Sequence, residues 1–136
     1  MGKIEEKACG GIIIENEKVL LIQQNDGFWG FPKGHVEKEE TEEETAKREI
    51  KEETNLDIEI DSKSRYTMEY ITDKGKNKEV VYFIAKKIRG EIKKQEEEIQ
   101  NIKWANFQEA MELLSFDNTK QLLKKILEDR KTQKNV

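Results

Sequence analysis

The sequence predicts an α/β domain built on a mixed sheet, and three observations carry that prediction. Short β-branched or alternating apolar segments recur along the chain. One amphipathic helix lies between them, and two helical patterns close the chain. At 136 residues it reads as one domain, 1–136, large enough to bury a core without staples.

Residues 8–14 (ACGGIII) and 19–24 (VLLIQQ) are apolar, and the turn-like ENEK between them predicts a hairpin. NDGFWGFPKG (25–34) holds three of the eight glycines and the only proline, so it reads as a loop. A helix follows over 41–53. Thr41 and Glu44 stand at capping-box spacing, and Ala46 and Ile50, four apart, supply a narrow apolar stripe. Ile58 and Ile60, then Tyr66, Met68 and Tyr70, alternate with the period of half-buried strands. DKGKNK (73–78) is a turn, and VVYFIA (80–85) has the continuous apolar character of a central strand. A polar connection, 93–101, leads to a short IKW segment. Phe107, Ala110, Met111 and Leu114 mark one helix; Leu122, Leu123, Ile126 and Leu127 mark another, with Asp117 or Asn118 as its cap. The polar tail is expected to fray from about residue 131.

Charged residues make up 40% of the chain and the net charge is −4, which offers no basic footprint for duplex nucleic acid. A polyphosphate remains possible if cations neutralise the local acidity. Cys9, the only cysteine, cannot form an internal disulfide and reads as a small buried hydrophobe. The first ten residues are too charged for a signal peptide, and nothing approaches the ~20 apolar residues of a membrane span. The expectation is a cytoplasmic protein without a membrane partner. Oligomeric state is not legible.

Residues 34–56 (GHVEKEETEEETAKREIKEETNL) hold nine glutamates. On a helix, residues three and four apart share a face, so Glu49, Glu52 and Glu53 point into one region. Clustered carboxylates raise one another's pKa unless a cation lies between them, and hard cations such as Mg²⁺ favour such oxygen ligands. Arg48, eight residues after Glu40, is placed to pin the helix through an ion pair.

In order, 34–56 reads Gly34, five residues, Glu40, seven residues, Arg48-Glu49-Ile50, one residue, Glu52-Glu53, one residue, Asn55-Leu56. This pattern closely resembles the Nudix box. One position departs: Asn55 stands where the family has glycine. Asn is the usual second choice just past a helix end, so Asn55→Gly is expected to be neutral or mildly stabilising. A softer departure is Lys38-Glu39, where many relatives carry Pro-Gly.

The resemblance implies a Nudix hydrolase: an α/β/α sandwich whose loop–helix–loop motif holds two or more divalent ions, Mg²⁺ or Mn²⁺. It makes Glu49 and Glu53 the direct metal ligands, with Glu52 completing the cluster and the Gly34 carbonyl adding a ligand. Glu40 and Arg48 brace the helix. Glu37, Glu39, Glu42 and Glu43 are left as a solvated remainder.

WGFPKGHVE (29–37) is similar to the same stretch of asymmetric diadenosine tetraphosphate hydrolases. The likeness continues through VYFIA (81–85), the acidic connection before Trp104, and LLSFDN (113–118). It implies that Tyr82 and Phe116 sandwich an adenine, although core packing is an equal alternative for Tyr82. It also implies that Lys33, His35 and Lys78 meet phosphate. For His35 the alternative is a loop residue with a satisfied side chain. Glu98 aligns with a carboxylate for an extra metal or for activating water; its alternative is a solvated acidic run. The implied reaction splits diadenosine tetraphosphate into ATP and AMP. Rival readings are a nucleoside triphosphate pyrophosphatase, an RNA 5′ pyrophosphohydrolase, and a non-catalytic nucleotide sensor of the same fold.

Overall fold

The computed structural model describes residues 2–134. Strands β1 (Glu6–Glu15) and β2 (Lys18–Gln24) form the expected hairpin. Asn16 and Glu17 both take positive φ, 53° and 60°, as the commonest two-residue hairpin turn requires. Two very short strands follow, β3 (Trp29–Gly30) and β4 (Lys33–His35), where the sequence reads as a loop. β3 pairs with β2, and β4 pairs with β1. Gly10 makes the second pairing possible, because a Cβ there would collide with the Pro32 carbonyl.

Helix α1 (Glu42–Thr54) comes next, then β5 (Asp57–Ile71), β6 (Asn77–Arg89), β7 (Ile99–Asn106), α2 (Phe107–Leu113) and α3 (Asp117–Lys134). β5 joins the two alternating segments into one strand whose register shifts between Ile60 and Arg65. β6 runs parallel to β1 and antiparallel to β5, so the seven-stranded sheet is mixed, with a path β3-β2-β1-β6-β5.

Alternation along β1 and β6 sends side chains to two faces. Ile12, Val80 and Tyr82 pack with Ala110, Leu114, Leu122, Leu123 and Ile126 of the two C-terminal helices. Ile13 and Ala85 pack with Ile50, and Cys9, Val81 and Phe83 pack with Ala46. The result is a sheet between helices, the α/β/α arrangement.

One expectation needs correction near the C-terminus. Asp117 and Asn118 lie inside the first turn of α3, where Asp117 supplies an acidic group suited to the helix dipole. α3 continues through the first residues of the polar tail to Lys134, where Lys and Gln are good helix formers. Residues 135 and 136 of that tail lie outside the described residues.

Candidate active site

Helix α1 begins as its sequence dictates. The Thr41 side chain accepts from the Glu44 N–H at 3.1 Å, and Glu44 Oε1 accepts from the Thr41 N–H at 2.8 Å, closing the capping box. The helix ends at Asn55, which sits at φ 70°, ψ 9° in the left-handed region. Glu39, where many relatives of the resembled family carry glycine, also takes positive φ, 61°. Both irregular positions thus keep a glycine-like backbone.

Arg48 is the hub of the approach to the helix. Its Nε and Nη2 donate to the two Glu40 oxygens at 2.7 and 3.0 Å, and Nη2 also donates to the His35 carbonyl at 3.0 Å. Glu40 accepts further from the Glu37 N–H and the Thr45 hydroxyl. The bidentate guanidinium holds the Glu40 carboxyl down at about 2. Arg48 Nη1 reaches Glu52 at 3.2 Å and Glu49 at 3.5 Å. The expected brace therefore also touches the carboxylates it supports.

Of the glutamates read as a solvated remainder, two are not. Glu42 receives two Arg65 hydrogen bonds at 2.7 Å and pairs with Lys7 at 2.6 Å, which lowers its carboxyl to about 2. Glu43 accepts from the Ser62 hydroxyl at 2.7 Å. Both tie α1 to the sheet through residues far away in sequence, which helical spacing alone cannot reveal.

Glu49 and Glu53 face inward. Burial first, then the charges of Glu52 and Glu98, push Glu49 up to about 7 against the pull of Arg48. Burial first, then Glu49 and Glu98, push Glu53 up to about 8 against Lys33. Gly34 lies so close that a Cβ there would run into the Glu49 carboxylate. The Lys33 N–H donates to Glu53 Oε1 at 3.2 Å. The box loop and helix thus meet face to face.

Glu98 is near enough for its charge to act on this cluster because the acidic connection is laced to the end of α1. The Lys93 N–H donates to the Thr54 carbonyl at 3.0 Å, and the Gln95 N–H to the Glu53 carbonyl at 3.3 Å. Asn55 Nδ2 donates to the Glu91 carbonyl at 3.0 Å. On the other side, Asn25 donates through its backbone N–H to the Glu98 carbonyl and through Nδ2 to the Glu97 carbonyl. The roles of Asn25 and Asn55 as clamps were not legible; the only hint was two asparagines at chain reversals.

Among the described residues, no three His, Cys, Asp or Glu side chains are gathered closely enough to cage an ion as they stand. The donor chemistry nonetheless fits a hard divalent cation. Buried carboxylates that raise one another's pKa gain from a positive charge placed between them.

Beside the cluster opens a cleft of about 820 Å³, lined among others by Lys33, Lys78, Tyr82 and Phe116. Burial and then Lys78 push the Lys33 amine down to about 8, with Glu53 and Glu49 opposing. Lys78 is itself buried. Two cations lining one cleft favour an anion. His35 is exposed on β4, 3.4 Å from Glu6, and does not line this cleft. Tyr82 is only 1% exposed and packs edge-on against Phe31, ring centroids 5.6 Å apart. Phe116 is half exposed, and its ring partner is Phe28 at 4.9 Å.

Residues 6–128 match the NUDIX domain family. The chain belongs to the Nudix family. An asymmetrical bis(5'-nucleosyl)-tetraphosphatase of Mus musculus is 34% identical over 134 residues, covering 86% of this chain and 90% of that protein. The Caenorhabditis elegans enzyme of the same name is 36% identical over 111 residues, covering 78% and 80%. The crystal structure of a C. elegans Ap4A hydrolase binary complex superposes with a TM-score of 0.83 at 30% identity, covering 94% of this chain and 99% of that one. The Nudix fold and helix are therefore shared with proteins whose whole length this chain nearly spans. Among the described residues no helix is long and apolar enough to cross a membrane.

Proposed function

We propose that this Nudix hydrolase cleaves dinucleoside polyphosphates with the help of divalent cations, splitting diadenosine tetraphosphate into ATP and AMP. One observation carries the reading. A single cleft joins the buried Lys78 and the half-buried Lys33 to exposed aromatic rings, and Lys33 connects it directly to the carboxylates of α1 through its backbone N–H. Such a cleft suits a ligand that is flat at one end and polyanionic along its length. The names of the relatives add support.

Glu49, Glu52, Glu53, Glu98 and the Gly34 carbonyl would hold the cations, which when bound supply charge neutralisation and activation of water. Lys33 and Lys78 bind phosphate oxygens; the anion also favours the ammonium form of Lys33, which burial disfavours. Arg48 holds the helix against the box loop through Glu40 and the His35 carbonyl, acting as a positioning residue. Water attacks phosphorus, a P–O bond of the bridge breaks, and the proton leaves to one of the clustered carboxylates. Diadenosine tetraphosphate and water thereby balance ATP and AMP.

Glu53→Gln should lower turnover with Mg²⁺ by orders of magnitude while leaving the fold intact. Near wild-type turnover in that variant would remove Glu53 from the chemistry. Cleavage of nucleoside triphosphates to monophosphates, with the dinucleotide left whole, would favour a triphosphate pyrophosphatase instead.

A further inference from the structure

The acidic connection carries three exposed glutamates in a row, Glu96, Glu97 and Glu98, and only the fold decides which of them serves the site. They form a single turn: the N–H groups of Glu98 and Ile99 both donate to the Gln95 carbonyl, at 3.2 and 2.8 Å. A turn that stops after one revolution leaves its last carbonyls without helical partners. Asn25, directly after β2, answers all three. Its backbone N–H donates to the Glu98 carbonyl at 2.9 Å. Its Nδ2 donates to the Glu97 carbonyl at 2.8 Å and, at 3.5 Å, to that of Glu96.

Both flanks of this turn are fixed. On the helix side, the Gln95 N–H donates to the Glu53 carbonyl. On the sheet side, Ile99 is buried, and the pairing of β2 with β7 skips Gln100, a bulge that re-aims the chain. Lys94 Nζ closes the connection on itself by donating to the Gln100 carbonyl at 2.8 Å. The loop bearing Asn25 is itself held: Asn101 Nδ2 donates to Gln23 Oε1 at 2.6 Å, and Gln23 Nε2 to the Gly27 carbonyl at 3.0 Å. Glu98 leaves the turn with its charge bearing on both Glu49 and Glu53. We propose that Asn25 is a positioning residue of the hydrolysis, capping the 95–98 turn so that the Glu98 carboxylate, rather than Glu96 or Glu97, is held toward the carboxylates of α1. This rests on the metal-assisted hydrolase reading above. Asn25 does not line the cleft, so it acts on the reaction through Glu98 and not through the substrate.

The test uses the full chain as wild type, Asn25→Ala, Asn25→Leu and Glu98→Gln, and each Asn25 change combined with Glu98→Gln. Asn25→Leu keeps the shape of the side chain and removes its donors without adding charge. Loss of a group that orients a ligating carboxylate costs about tenfold to a hundredfold in metal affinity or turnover. With diadenosine tetraphosphate and Mg²⁺, both Asn25 variants should therefore lose about tenfold or more in kcat, with KM nearly unchanged. Calorimetric titration of Mn²⁺ into the substrate-free proteins should show a parallel loss of affinity of about tenfold. In the Glu98→Gln background the Asn25 changes should do nothing further to kcat or to Mn²⁺ affinity. Wild-type kcat and Mn²⁺ affinity in the Asn25 variants overturn the proposal. So do equal losses with and without the Glu98 carboxylate, which would make Asn25 a support of its loop alone. The Mn²⁺ titration needs no substrate and still decides the role of Asn25 if diadenosine tetraphosphate is not cleaved. A wild type that binds no Mn²⁺ would overturn the metal-assisted reading and this role with it.

Discussion

Asn55 replaces the glycine of the Nudix box, and substituting it separates two contributions that one residue makes. Its backbone occupies the left-handed region, and its side-chain amide ties the Glu91 carbonyl to the end of α1. Asn55→Gly removes the hydrogen bond, worth ~1 kcal/mol in a partly exposed setting. It also relieves the modest left-handed strain of Asn, but increases the freedom of the unfolded chain. The balance is a loss of about 0.5–1 kcal/mol, where the helix-end argument alone expects a neutral or stabilising change. Asn55→Ala removes the same bond and adds the ~1 kcal/mol penalty of a Cβ at positive φ without local compensation, for a total of about 2 kcal/mol. Urea unfolding with unchanged m-value reads both. Turnover of Asn55→Gly should stay within a few-fold of wild type, since the Lys93 and Gln95 backbone bonds to α1 remain. Equal stability of the Gly and Ala variants, or an Asn55→Gly protein more stable than wild type, would refute this division of roles.

Tyr82→Ala should cost ~3–5 kcal/mol by cavity formation, seen in urea unfolding, because the ring is buried against Phe31; a raised KM with no stability loss would restore the stacking role. Glu49 and Glu53 sit at about 7 and 8, above the ordinary carboxylate value of 4.5. The metal-free folded chain then holds more protons than the unfolded one between those values, so its stability should fall as pH rises from 4.5 through 8. Mg²⁺ added at pH 8 should reverse the loss and release protons, measurable by unfolding with and without chelator. Glu42 runs the other way, with its carboxyl lowered from 4.5 to about 2 by Arg65 and Lys7. Its contribution is present above pH 4.5 and lost as pH falls towards 2. Glu42→Gln should cost about 1 kcal/mol at pH 7 after allowance for solvent screening, and only a small fraction of that at pH 2.

Features set by near neighbours in the chain were legible before the fold. The capping box of α1, the left-handed Asn55, and the Glu40–Arg48 pair all follow from local spacing, and all appear in the structure. The hairpin was equally plain. Features set by distant partners were not. β3 and β4 are too short for any hydrophobic period and exist only because β2 and β1 pair with them. Glu42 looks solvated until β1 and β5 bring Lys7 and Arg65 to it. Tyr82 lies in a continuous apolar strand, where period-two reasoning cannot assign a covered face; both faces of β6 carry helices. The approach of Glu98 depends on Asn25, Gln95 and Asn55, three clamps that no spacing rule connects.

Joint action of the carboxylate cluster and the lysine-lined cleft on a dinucleoside polyphosphate has a direct readout. Purified protein incubated with diadenosine tetraphosphate and Mg²⁺, with products separated chromatographically, tests it most directly. ATP and AMP should appear in equal amounts, with turnover lowered by orders of magnitude in Glu53→Gln. Two molecules of ADP, or an intact dinucleotide beside triphosphates cut to monophosphates, would contradict it.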